Sequence, residues 1–86
     1  MKDGWQAVFH EDAMMRLLQM RGGERERFLR CLDRLLSDPF RRPDAYTKDD
    51  DGRTHFISYQ DRFRLVYWLD GFGRELRLVN VEPIRS

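Results

Sequence analysis

Residues 62–70, read Arg-Phe-Arg-Leu-Val-Tyr-Trp-Leu-Asp, limit what the whole chain can fold into. Phe63, Leu65, Tyr67 and Leu69 fall on one face of an extended strand, and Arg62, Arg64, Val66 and Trp68 fall on the other. β-branched and aromatic residues dominate the segment, which predicts a central strand. One face suits burial against helices. The opposite face then presents Arg64 at the start of the strand and Trp68 near its end, and that face is where function is sought.

The neighbouring residues extend this sheet. Residues 54–59 alternate Phe56 and Ser58 against His55, Ile57 and Tyr59, and a short turn at Gln60-Asp61 leads into the central strand. Gly71-Phe72-Gly73 makes the next hairpin. Residues 74–82 then alternate Leu76, Leu78 and Asn80 against Arg77, Val79 and Val81, and Pro83 closes the ladder. At the other end of the chain, Trp5, Ala7 and Phe9 fall on one side of a short first strand suited to an edge.

Between these strands the period changes to that of a helix. In residues 11–20 the spacing of Ala13, Met14, Leu17 and Leu18 predicts an amphipathic helix with Met14 in the core, and Glu11 and Asp12 complement the dipole of its first turn. Gly22-Gly23 is expected to stop it. Phe28, Cys31, Leu32, Leu35 and Leu36 mark the buried stripe of a second helix over residues 24–37. Its arginines at 25, 27, 30 and 34 interleave with Glu24, Glu26 and Asp33 as a solvated face. Asp38-Pro39 ends that helix, because the residue before proline is pushed out of helical geometry. Residues 40–53 read as a loop, and the run Asp49-Asp50-Asp51-Gly52 as a solvated turn lacking the spaced ligands of a calcium loop. The expected order is β-α-α-β-β-β, with a helical hairpin packed on one face of a mainly antiparallel sheet. This is an α+β fold, and 86 residues make it a single domain, 1–86.

Composition narrows the function classes. No apolar run approaches the ~20 residues that cross a bilayer, and no apolar h-region follows the first residues, so a cytoplasmic location away from any membrane is expected. The single Cys31 has no internal disulfide partner and reads as a small buried residue on the second helix. There is no Cys/His cluster for zinc, and no metal or cofactor is expected. A formal net charge of +1 is less basic than a dedicated nucleic-acid binder carries. The cations are nearly all arginine, however, the side chain that forks onto phosphate and stacks on bases, so a local patch is not excluded.

Leu-Leu-Ser-Asp-Pro at 35–39 after a helical hairpin, and above all Phe63-Arg64-Leu65-Val66-Tyr67 followed by a hairpin and a last hydrophobic strand, resemble the RelE/ParE superfamily of toxins from bacterial type II toxin–antitoxin pairs. The likeness spans almost the whole chain. It implies a microbial ribonuclease fold. RelE-like members are ribosome-dependent endoribonucleases that cut mRNA, ParE-like members poison DNA gyrase, and both are held inactive by a cognate antitoxin in a hetero-oligomer. A catalytically silent relative that only binds a partner is the further alternative. In the RNA-cutting members the open sheet face activates the ribose 2′-hydroxyl, stabilises a phosphorane-like transition state and protonates the leaving oxygen, without a metal.

Carried over by position, the resemblance makes Arg64 the phosphate contact, with an ion pair to a carboxylate as its alternative role. His55 falls where the family carries a basic residue and suits an acid or base, or a structural place. Arg85 is the remaining cation past the last strand, where many RNA-cutting members add a tyrosine or histidine. Lys48, Arg53 and Arg77 are the candidate RNA contacts, with balancing of Asp49–Asp51 the alternative for the first two. Tyr59 and Trp68 are the aromatics suited to stacking, each equally suited to an ordinary sheet-surface role.

Overall fold

A computed structural model describes residues 4–84. Its elements run β1 (Gln6–Phe9), α1 (Glu11–Gln19), α2 (Gly22–Ser37), β2 (Ala45–Lys48), β3 (Thr54–Gln60), β4 (Phe63–Asp70) and β5 (Glu75–Pro83). The strands form one sheet in the order β1-β5-β4-β3-β2, antiparallel except for the parallel pair β1 and β5. Both helices lie on one face of it, so the architecture is the expected α+β fold. Among the described residues no helix is long and apolar enough to cross a membrane.

β4 is flanked on both sides, which explains its run of large apolar residues. Phe63, Leu65 and Tyr67 turn toward the helices and pack with Leu76, Leu78 and Val81 of β5. Ala13, Met20, Phe28, Cys31, Leu32 and Leu35 close that core from above. Phe28 meets Phe9 and Phe63 edge to face, with ring centroids 6.3 and 5.8 Å apart, an arrangement worth about 0.5–1.5 kcal/mol per pair beyond area burial. Cys31 is fully buried, as expected, and burial pushes its thiol pKa up.

Several details differ from the sequence reading, each for a physical reason. The segment read as a loop holds β2, which pairs with β3 and carries Tyr46 edge to face with Phe56 at 5.7 Å. Asp44 starts this pairing by accepting the Tyr59 N–H at 2.7 Å. Ala-Tyr-Thr-Lys is too short and too polar to display a period. The two glycines do not stop α1. That helix ends at Gln19, and Gly22 opens α2 with φ +43°. The carbonyls left over at the end of α1 are met instead by Arg25, whose Nη2 donates to Met20 O at 2.9 Å and Leu18 O at 3.4 Å.

The buried stripe of α1 is also narrower than expected. Ala13 and Met20 are buried and Leu17 half-buried, whereas Met14 is 40% and Leu18 63% exposed. Nine residues leaning on β5 and β1 bury one line at 13 and 17, continued by Met20 just past the helix end, and no second flank. In the β3–β4 hairpin the turn residues are Asp61 and Arg62, at φ +44° and +70°, so the turn falls one residue later and Arg62 leaves the strand. Finally, Val66 faces Asn80 while Tyr67 faces Leu78, which makes Val79 the extra residue of a β-bulge. Beyond it the alternation flips: Val81 enters the core, and Asn80 turns to the open face.

Candidate functional site

With the helices on one side, strand alternation leaves a bare face on the other. Two clusters stand on it, at opposite ends of β4. The first is a row across three strands, because Tyr59 of β3 pairs with Arg64 of β4 and Arg64 pairs with Glu82 of β5. Arg64 Nη1 lies 3.4 Å from Glu82 Oε1. Asn80 Nδ2 donates to the same oxygen at 3.1 Å, and Asn80 Oδ1 accepts the Val81 N–H at 2.9 Å. The bulge therefore brings Asn80 to hold the carboxylate that faces Arg64. Both charged side chains keep more than a third of their surface in solvent, and such a pair contributes at most about 1 kcal/mol. A competing anion would open it at little cost.

The second cluster surrounds Trp68. Arg77 of β5 pairs with Trp68, and its guanidinium carbon lies 5.4 Å from the indole centroid. Glu75 Oε1 fixes Arg77 through Nη2 at 2.7 Å, and Asp70 Oδ2 stands 3.8 Å from its Nε. Arg53, just before β3, lays its guanidinium 4.0 Å over the same indole. The turn that delivers Arg53 is built by Asp49, whose Oδ1 accepts the N–H groups of Arg53 and Asp51 at 2.8 and 2.9 Å. Its Oδ2 lies 3.2 Å from His55 Nε2. The N–H donated by Arg53 is the main reason the Asp49 carboxyl sits below the usual carboxylate range. The aspartate run is thus a turn whose first member organises the backbone, and Gly52 completes it at φ +81°. Among the described residues no three His, Cys, Asp or Glu side chains come together as a metal-ligand set.

The candidates from the sequence are therefore divided. Arg53, His55 and Arg77 come together at the Trp68 end. Arg64 stands at the other end, four residues and about 13 Å away at ~3.3 Å per residue. Arg64 and His55 are not neighbours, and it is Tyr59 and Glu82 that flank Arg64. Lys48 pairs with Thr54 and shares the face of Tyr46, which is the helix side of the sheet, so it leaves the open face altogether. Arg85 lies outside the described residues. Sequence reasoning missed Glu82, Asp70, Glu75 and the Arg53 stack. Asp70 and Glu75 face each other across the Gly71-Phe72-Gly73 hairpin, and register counting from that turn reaches them. Glu82 is hidden from such counting by the bulge.

Two helices on one face and an arginine-bearing bare face on the other make this the fold of the RelE-type toxins. The isolated RelE toxin of Escherichia coli matches with a TM-score of 0.69 at 19% identity, over 95% of this chain and 86% of that one. The intact E. coli RelBE toxin–antitoxin complex matches at 0.68 and 16%, over 95% and 99%. The archaeal RelE–RelB complex of Pyrococcus horikoshii OT3 matches at 0.67 and 15%, over 92% and 93%. No family model and no curated protein sequence matches the chain. The chain has the RelE fold over nearly its whole length, with a sequence that has diverged from each of these structures.

Proposed function

We propose that this protein is the toxin of a type II toxin–antitoxin pair and cleaves mRNA on the ribosome in the cytoplasm. The observation that carries the reading is the row Tyr59, Arg64, Glu82 on the bare face of a RelE fold. In this reading Arg64 exchanges Glu82 for the scissile phosphate and offsets the negative charge that grows on the phosphorane. The released Glu82 carboxylate takes the proton of the 2′-hydroxyl. The 2′-oxygen then attacks phosphorus, the bond to the 5′-oxygen breaks with its electron pair, and a proton returns to that oxygen, leaving a 2′,3′-cyclic phosphate and a 5′-hydroxyl. Tyr59, half exposed beside Arg64, stacks on a flanking base. His55 and Arg77 contact RNA further along, and an antitoxin of the kind seen in the RelE–RelB structures keeps the face covered.

Expression of the protein without an antitoxin in a bacterial host is expected to arrest growth, with discrete, translation-dependent ends on a reporter mRNA in primer extension. Arg64→Ala is expected to relieve the arrest. A folded Arg64→Ala protein that remains fully toxic sinks the site assignment. A second reading, a ParE-like gyrase poison or a silent binding protein on the same fold, draws on the charge balance: Arg64, Arg77 and His55 each face a carboxylate. Arrest with intact mRNA and double-strand DNA breaks selects the gyrase version, and no arrest from a folded protein selects the silent one.

A further inference from the structure

The Trp68 cluster contains three donor groups for which the described residues supply no hydrogen-bond acceptor. Trp68 Nε1 and Arg77 Nε are both shielded from solvent and make no hydrogen bond, although Asp70 Oδ2 stands 3.8 Å from Arg77 Nε, within ion-pair range but too far for a hydrogen bond. They belong to directly paired residues on the same face, with the Arg77 guanidinium carbon 5.4 Å from the indole centroid. Arg53 is the third. Its guanidinium rests on the indole, and among the described residues it makes no ion pair, unlike Arg64 and Arg77 on the same face. Buried donors are nearly always matched, and the unmatched Trp68 Nε1, with Arg77 Nε only loosely met beside it, leaves a place for an acceptor. An unpaired, exposed arginine beside them supplies the charge for an anionic one.

We propose that Arg53, Trp68 and Arg77 form a second phosphodiester subsite for single-stranded RNA, distinct from the Arg64 end. This deepens the RNA-cleaving reading and rests on it. Arg53 lifts from the indole onto a phosphate oxygen. The move uncovers the ring face for a base and brings acceptor oxygens within reach of Trp68 Nε1 and Arg77 Nε. Glu75 and Asp70 hold Arg77 in place and neutralise it, so it orients the ligand while Arg53 carries the net charge of the contact. Alternation of an aromatic face with arginine forks fits a strand of bases and phosphates better than an acidic peptide, which brings carboxylates but no rings to stack. The two ends are about 13 Å apart along β4, a span of about four stacked nucleotides at 3.4 Å per phosphate and fewer when the strand is extended. A substrate held at both ends has its scissile phosphate at Arg64 placed by a contact several bases away.

The sequence has two tryptophans, so the indole Nε1–H resonances of the 15N-labelled protein report the site directly, with Trp68→Phe assigning them. The probe is a 2′-O-methyl single-stranded RNA of about eight nucleotides, which binds without offering a 2′-hydroxyl for attack. Titration is expected to move the Trp68 indole resonance and leave that of Trp5 in place. Arg53→Gln, on an exposed turn, is expected to weaken binding about tenfold, as loss of one charged phosphate contact does. If the Tyr59 and Arg64 amides move while the Trp68 indole stays still, RNA binds but the subsite is wrong. If nothing moves, the RNA reading fails together with the subsite. If polyglutamate shifts the Trp68 indole as RNA does, the cluster receives an acidic protein segment and the RNA subsite is overturned.

Discussion

Asp49 shows how much one side chain does on a face this small. Its two carboxylate oxygens receive two backbone N–H groups and face His55, and the turn so formed delivers Arg53 to Trp68. Those interactions favour the ionised carboxyl, so its pKa is depressed on folding. A depressed carboxyl adds stability above its unfolded pKa and loses it as pH falls through the folded value. Asp49→Ala is therefore expected to lower the melting temperature at neutral pH, and the gap to the parent is expected to close as the pH falls below about 4. Melting curves followed by circular dichroism across the acid range test this. A gap that stays constant with pH means that the turn uses the shape of the side chain and not its charge. The run Asp49-Asp50-Asp51-Gly52 announced a turn in the sequence, but which aspartate organises it depends on where Arg53 and His55 return, and composition is silent on that.

At the scale of elements, α1 provides the sharpest contrast. Of the stripe Ala13, Met14, Leu17 and Leu18 read from its sequence, Ala13 is buried and Leu17 half-buried while Met14 and Leu18 are exposed, and Met20 just past its end is buried at 4% exposure. Met20→Ala is expected to cost about 2–5 kcal/mol as a cavity-forming core change, while Met14→Ala is expected to stay within about 0.5 kcal/mol as a surface change. Urea unfolding of the two variants separates them, and equal costs mean that α1 is rotated from the placement described. The long, strongly periodic elements were legible: β3, β4 and the stripe of α2 from Phe28 to Leu35 are set by alternation and by helical spacing that local residues state plainly. What was not legible came from partners remote in sequence. β2 exists because Phe56 pairs with Tyr46 and the Tyr59 N–H anchors Asp44 just before the strand. The outward turn of Asn80 exists because Val79 bulges against β4. The candidate site suffered most, since the Arg64–Glu82 pair, the distance between Arg64 and His55, and the loss of Lys48 to the helix side all follow from register and not from residue type.

For the molecule as a whole, the fold persists at 15–19% identity to the matching RelE structures because what it needs is one apolar sheet face, one apolar stripe on α2 and hairpins of the right length. None of these specifies a residue on the bare face, so the fold leaves that face free to change its charge. Here the net charge is only +1, and Arg64, Arg77 and His55 are each set against a carboxylate. On the proposed reading, RNA binding by such a surface has little general electrostatic attraction behind it and would rest on the few arginines that exchange a carboxylate or an indole for phosphate. Salt dependence counts those contacts, because each phosphate neutralised on a single strand contributes about −0.7 to the slope of log K against log salt. Contacts from Arg64 and Arg53 alone predict a slope of about −1.4, and a third contact about −2.1. Fluorescence anisotropy with a labelled 2′-O-methyl RNA at several salt concentrations measures it, and Arg64→Ala and Arg53→Gln are each expected to flatten the slope by about 0.7. A slope near −5, unchanged in both variants, requires about seven phosphate contacts. The exposed arginines of α2, among them Arg27 and Arg30, are then the next source of contacts together with their neighbours, and the helical face would be the RNA surface instead of the sheet.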